Sequence, residues 1–249
     1  PPKGSPDRYI RSFRNLSIIS TSAITPSGKV IGLPSGLMAR RILLALITKS
    51  VHQQSQVIEV PSIMELLRWS GMKFSGQTHR SIQKNLFQMA TMNVDIWFAP
   101  AGDKAHIYKG NIFEQLSVSV DKGAQLDFSF IPEEVWLSDT FYNRVVKDRA
   151  MPFQADMIMK ASSPIEHDLI LWLCTRQSSP SMIGKKWLSY EQLQPQFGRP
   201  GQDIRKFRLW FKRALKSVAE KFGRNIEIES KGIYLHPMTG DVRPKLRGW

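Results

Sequence analysis

The residues best placed to do chemistry in this chain are cations, and they lie on one short segment. Arg205, Arg208, Lys212 and Lys216 recur at three- and four-residue spacing, with Lys206 and Arg213 on the far flank. At about 100° per residue these fall beside an apolar stripe formed by Ile204, Phe207, Phe211, Ala214, Leu215, Val218 and Phe222. From Arg199 to Arg224 there are nine lysines and arginines against two acids, Asp203 and Glu220, so acid pairing does not account for the charge. Such a helix packs one side on a core and meets negative charge with the other. Arg205 and Arg208 have the fork that matches guanine edges, while Lys206, Lys212, Arg213 and Lys216 suit phosphates. Gln202, near the helix start, is placed either to reach an adenine edge or to cap.

A second, less charged helical pattern begins near residue 77. It offers Gln77, Thr78, His79, Arg80 and Lys84, with Lys73 in the turn before it. Arg80 and Lys84 are one turn apart and share a face. Lys231, at the tip of a compact hairpin, adds a phosphate candidate, as do Lys104 and Lys109 near an earlier β-rich stretch.

Bond-making chemistry finds no constellation. The histidines His52, His79, His106, His167 and His236 are scattered, without a His-x-His pair. There is no GxxxxGK[ST] loop for nucleotide phosphates, and no CxxC or HxxxH for zinc. No catalytic residue, metal site or cofactor is expected, and the chain reads as a non-enzyme. Glu133 and Glu134 read as complements to a helix dipole.

The whole chain shares the basic character. Its 249 residues carry thirty-five Lys and Arg against twenty-one Asp and Glu, a formal net charge of +14. An excess of this size predicts an anionic partner. Anionic membranes fit the charge, but the longest apolar runs, near residues 42–47 and 170–173, are far too short to span a bilayer. Residues 1–14 lack the apolar core of a signal peptide, and the lone Cys174 forms no intrachain disulfide, so a cytoplasmic location is expected.

The elements that must position these cations can be read from periodicity. Residues 1–29 read as an extended or partly ordered arm, rich in Pro, Ser and Arg. A helix is expected from Ser35, then a strand near residues 57–60, a short helix opened by Pro61 or Ser62, and a third helix over about 77–92 with Ile82, Leu86 and Met89 inward. The period then changes to β over residues 94–130, and residues 132–146 read as a short helix with an acidic start. The second half repeats the plan: a helix opened by Ser163 and Pro164, a β-like Trp187–Leu188, a short helix ending before Gly198, the basic helix, and a hairpin about Lys231–Gly232. Trp69, Trp97, Trp136, Trp172, Trp187 and Trp210 are expected in the cores, with Trp210 the exception that its place toward the basic flank allows, where it would stack or pack against a neighbouring domain. The fold class that follows is α+β: two tandem winged-helix domains, each a helix-turn-helix plus β-hairpin, over residues 30–148 and 149–249, the latter ending in a short tail.

With these residues in view, the chain resembles the replication initiators of iteron-containing bacterial plasmids, of the RepA and TrfA type. The segment GLPSGLMARRILLALITKSV resembles the opening of the RepA family, and IRKFRLWFKRAL resembles the basic, aromatic-spaced recognition helix of these initiators. The similarity runs over residues 31–237; the arm over residues 1–29 has no counterpart. The resemblance implies binding to direct repeats in double-stranded origin DNA, opening of the duplex with single-stranded origin DNA as a further ligand, and recruitment of a host DnaA-type initiator and the replicative helicase. It also implies a homodimer in the DNA-free state and a nucleoid- or plasmid-associated bacterial protein. A winged-helix transcriptional repressor is the alternative that the same modules allow.

Overall fold

The computed structural model describes residues 7–98, 106–119, 130–147, 158–177 and 182–237, with 179 and without the single positions 14, 26 and 224. The protein is α+β with small antiparallel sheets. It divides into two compact units, Pro1–Ala150 and Met151–Trp249.

In the first unit, helix α1 (Gly36–Gln53) leads through β3 (Val57–Glu59) to α2 (Ile63–Trp69) and α3 (Gly76–Thr91). Ser62 opens α2 by accepting from the Glu65 amide at 3.1 Å, and Ser75 opens α3 through a reciprocal capping box with Thr78. Strands β6 (Phe113–Ser119) and β7 (Ile131–Leu137) follow, and with β3 they form a three-stranded sheet in the order β3-β7-β6. Ile42 and Leu46 of α1, Leu66 and Leu67 of α2, Ile82 and Leu86 of α3, and Phe113 and Val135 of the sheet fill one buried core.

Two readings of this unit are corrected. The expected arm contains strands β1 (Arg8–Phe13) and β2 (Leu16–Thr21), which pair with each other and then with β4 (Asn93–Phe98) and β5 (His106–Asn111) in a second sheet, β1-β2-β4-β5. The alternating, β-branched LSIIST finds its partner far along the chain, in the register Ile18 to Ile96. Residues 132–137 are a strand, not a helix start. Pro132, Val135 and Leu137 point inward, Glu134 accepts from the Trp136 indole at 2.9 Å, and Glu133 accepts from the Ser119 hydroxyl. The carboxylates therefore serve the sheet rather than a dipole. Only α4 (Asp139–Phe141), capped by Ser138 and continued by a π-helical stretch Tyr142–Lys147, is helical here.

The second unit repeats the element order. Helix α5 (Pro164–Gln177), strand β8 (Lys186–Ser189), helices α6 (Tyr190–Phe197) and α7 (Ile204–Phe222), and strands β9 (Ile226–Ile228) and β10 (Gly232–Leu235) follow one another. Their sheet runs β8-β10-β9, so the last strand is central, as β7 is in the first unit. Of the tryptophans expected inside, Trp97 and Trp187 are 43% and 41% exposed, and Trp69, Trp136, Trp172 and Trp210 are half-buried. Trp187 lies on the outside of its sheet, its ring 4.7 Å from that of Tyr234.

Candidate nucleic-acid interface

Helix α7 is held by aromatic packing along its inner stripe. Phe207 and Phe211 stack at 5.1 Å, Phe197 of α6 lies 5.3 Å from Phe211, and Trp172 of α5 meets Phe197 edge-on at 5.3 Å. Phe207, Phe211, Ala214, Leu215 and Val218 are buried; each large apolar side chain removed from water contributes on the order of 2 kcal/mol. The polar outer face is therefore fixed in direction by the core.

The turn into α7 is built by its own polar groups. Gly201, at φ +69°, makes a bend that side-chain-bearing residues seldom adopt. Gln202 uses its side-chain oxygen to accept from the Arg199 amide at 2.9 Å, so it braces the turn. The cap is Asp203, which accepts from the amides of Arg205 and Lys206 at 2.9 and 3.1 Å.

Of the seven cations of α7, Lys221 pairs with Glu166 of α5, and the other six divide into two groups. Arg208 and Lys212 turn toward α6. The Arg208 guanidinium meets the Glu191 carboxylate at 2.5 Å, and both Arg208 and Lys212 lie over the Tyr190 ring, at 5.9 and 5.4 Å. The Glu191 carboxyl is held below its usual range by its own backbone amide first, then by hydrogen bonds from Arg208 and Ser189. Arg205, Lys206, Arg213 and Lys216 are exposed on the outer face. Among the described residues only Lys216 of these four has an ion-pair partner, Glu220 at 3.9 Å, and both of its ends are open to water.

The β9–β10 hairpin is fastened to the same frame through Tyr190. The Tyr190 amide donates to the Lys231 carbonyl at 3.1 Å, its hydroxyl donates to the Glu229 carbonyl at 3.1 Å, and its ring meets Phe211 edge-on. Burial pushes the Tyr190 phenol up to about 12, against a smaller lowering by the Arg208 charge, so it stays a neutral donor. The exposed Lys231 thus sits on a hairpin turn that is itself tied to α6.

The first unit's candidates gather at the start of α3. Lys73, Gln77, Arg80 and Lys84 are exposed. Thr78 is committed to the capping box, its hydroxyl 2.7 Å from the Ser75 amide, and His79 is half-buried with its ring edge-on to Phe74 at 6.3 Å. These two position the helix start rather than present polar groups outward. Lys109 lies on edge strand β5, opposite Asp95, and not on the β6–β7 hairpin; Lys104 falls outside the described residues.

Glu191 and Tyr190 are the site residues that periodicity missed. Both belong to a segment that reads as an ordinary short helix, and only its placement against α7 gives them a role. Among the described residues no cluster of His, Cys, Asp or Glu is suited to a metal ion, and no helix is long and apolar enough to cross a membrane.

No protein-family profile matches the chain, and no curated protein matches it in sequence. Solved structures do match. A selenomethionine crystal structure of domains 2 and 3 of RctB superposes with a TM-score of 0.66 over 94% of this chain and 91% of that one, at 14% identity. A second RctB structure of domains 2-3 gives 0.59 over 91% and 88%, also at 14% identity. The chain shares the fold of RctB domains 2 and 3.

Proposed function

We propose that this chain is a sequence-specific DNA-binding replication initiator made of two winged-helix modules. The observation that carries the reading is the outer face of α7, where Arg205, Lys206, Arg213 and Lys216 are exposed on a helix whose other side is locked into an aromatic core. A rigid cationic helix of this length, with Lys231 exposed on the turn of the β9–β10 hairpin, suits a major groove and its two phosphate walls. The repeated sheet order, first strand–third strand–second strand in both units, supports the winged-helix assignment. The fold shared with RctB domains 2 and 3 supports a role in replication initiation for this chain.

In this reading α7 makes the principal base contacts and the start of α3 a second set, with Gln77, Arg80 and Lys84 outward. The targets are direct repeats at a plasmid-type origin. Binding energy and DNA deformation open the duplex, and a host DnaA-type initiator and helicase are recruited to it, without catalysis by the chain itself. Nuclease footprinting of the purified protein on its own replicon's candidate origin, with competitor DNA at fixed salt, tests this. Protection of successive direct repeats is the expected result. Protection of one inverted repeat over a promoter would make the protein a repressor, and salt-sensitive binding without sequence preference would leave a general DNA binder.

A further inference from the structure

At the centre of the cationic face of α7 stands a residue that cannot pair with anything charged. Leu209 is 70% exposed, while the helix's five core-facing side chains are buried. Its four helical neighbours, one turn before and one turn after, are Arg205, Lys206, Lys212 and Arg213, all cations. An isobutyl group held in water costs free energy, and here no second apolar side chain of α7 lies beside it to form a patch. One leucine ringed by cations is a poor seat for another protein's apolar surface, because the cations would be desolvated along with it. It is also too little apolar area for a lipid surface, since the rest of the helix's apolar stripe is used in the core.

The ligand that fits is a polyanion with an apolar group between its two lines of charge. The major groove of duplex DNA has that arrangement: phosphates along both walls and, on the floor, the C5-methyl of thymine. We infer that Leu209 is a specificity-determining residue that packs on a thymine methyl while Lys206, one turn before it, reaches the backbone. The inference rests on the DNA-binding reading of α7 and adds the base read at its centre. Discrimination has two sources. The methyl contact favours thymine, and a cytosine amino group or guanine carbonyl placed against Leu209 would lose hydrogen bonds to water with nothing in return.

The test begins with selection of duplexes from a pool with a randomised core, using the full chain. Each thymine of the enriched sequence is then replaced in turn by deoxyuridine, which lacks only the methyl. Affinity is measured by fluorescence anisotropy for the wild-type chain and for Leu209→Ala, whose exposed position leaves the fold intact. One position is expected to lose about fourfold in affinity on removal of the methyl, the worth of one buried methyl-sized group, and to show no such loss with Leu209→Ala. Uniform tolerance of deoxyuridine, or the same loss in both proteins, would overturn the contact while leaving α7 as a DNA-binding helix. A pool without enrichment would overturn the DNA reading and this inference with it.

Discussion

The Arg208 guanidinium on α7 reaches the Glu191 carboxylate on α6 at 2.5 Å. The pair separates two arginines that sequence spacing treats alike. Arg205 is exposed, whereas Arg208 is partly covered and holds α7 against the preceding helix beside Tyr190. A guanidinium already bonded to a carboxylate is a weaker candidate for a guanine edge than one facing water.

Glu191→Gln releases Arg208 and removes one negative charge beside the proposed groove-facing surface. DNA affinity is expected to rise about threefold at moderate salt, with a steeper dependence of log affinity on log salt. Because both side chains keep contact with water, the stability cost should be about 1 kcal/mol. Anisotropy titrations across a salt series, with urea melts alongside, check both expectations.

Lys206→Ala and Lys216→Ala are each expected to weaken binding to all duplexes alike and to lower the salt slope by about 0.9, the signature of one lost phosphate contact. Loss confined to one sequence would assign the residue to a base instead.

Glu166 ties α5 to α7. Burial alone would raise its carboxyl, but the Ser162 amide, the Lys221 ammonium and the Ser162 and Ser217 hydroxyls together bring it down from 4.5 to about 2. A carboxyl lowered on folding stabilises fully above its unfolded value and loses that contribution as pH falls from about 4.5 toward 2. Glu166→Gln should therefore cost on the order of 2 kcal/mol near neutrality and flatten the acid limb of the stability profile between those values. Chemical denaturation followed at several pH values reads this directly.

Gly232 sits where its sheet meets Trp187. A Cβ there would lie 2.3 Å from the Leu188 carbonyl oxygen and 2.6 Å from the Trp187 ring, and the backbone oxygen has no room to retreat within the β8–β10 pairing. Gly232→Ala is expected to destabilise the second unit by on the order of 2 kcal/mol, with quenching or shift of the Trp187 fluorescence before unfolding. An unchanged melting midpoint would contradict this packing.

Much of the site was legible in the chain because α7 and α3 are local objects. A 3.6-residue apolar period and a lopsided charge face need no distant partner to be recognised, and both helices lie where Phe207, Phe211, Ile82 and Leu86 indicated. What depended on distant partners was not legible. Leu16–Thr21 reads as part of a polar arm until β4 pairs with it, Ile18 against Ile96. The Pro-Glu-Glu sequence at 132–134 has the composition of a helix start, and pairing of Val135 with Ile58 and Leu116 overrides it. Gln202 and Thr78 have the right chemistry for bases, but their side chains are taken by the turns that lead into the helices.

The most direct test is the affinity of the full chain for its enriched duplex and for a scrambled duplex of the same length, at one fixed physiological salt, compared with the Arg205→Ala, Arg213→Ala double variant. Both side chains are exposed, so thermal melts of the two proteins should coincide. If the outer face of α7 reads DNA, the wild-type chain discriminates between the duplexes and the variant binds both weakly and about equally. A variant that keeps the wild-type preference for the enriched duplex would contradict the account.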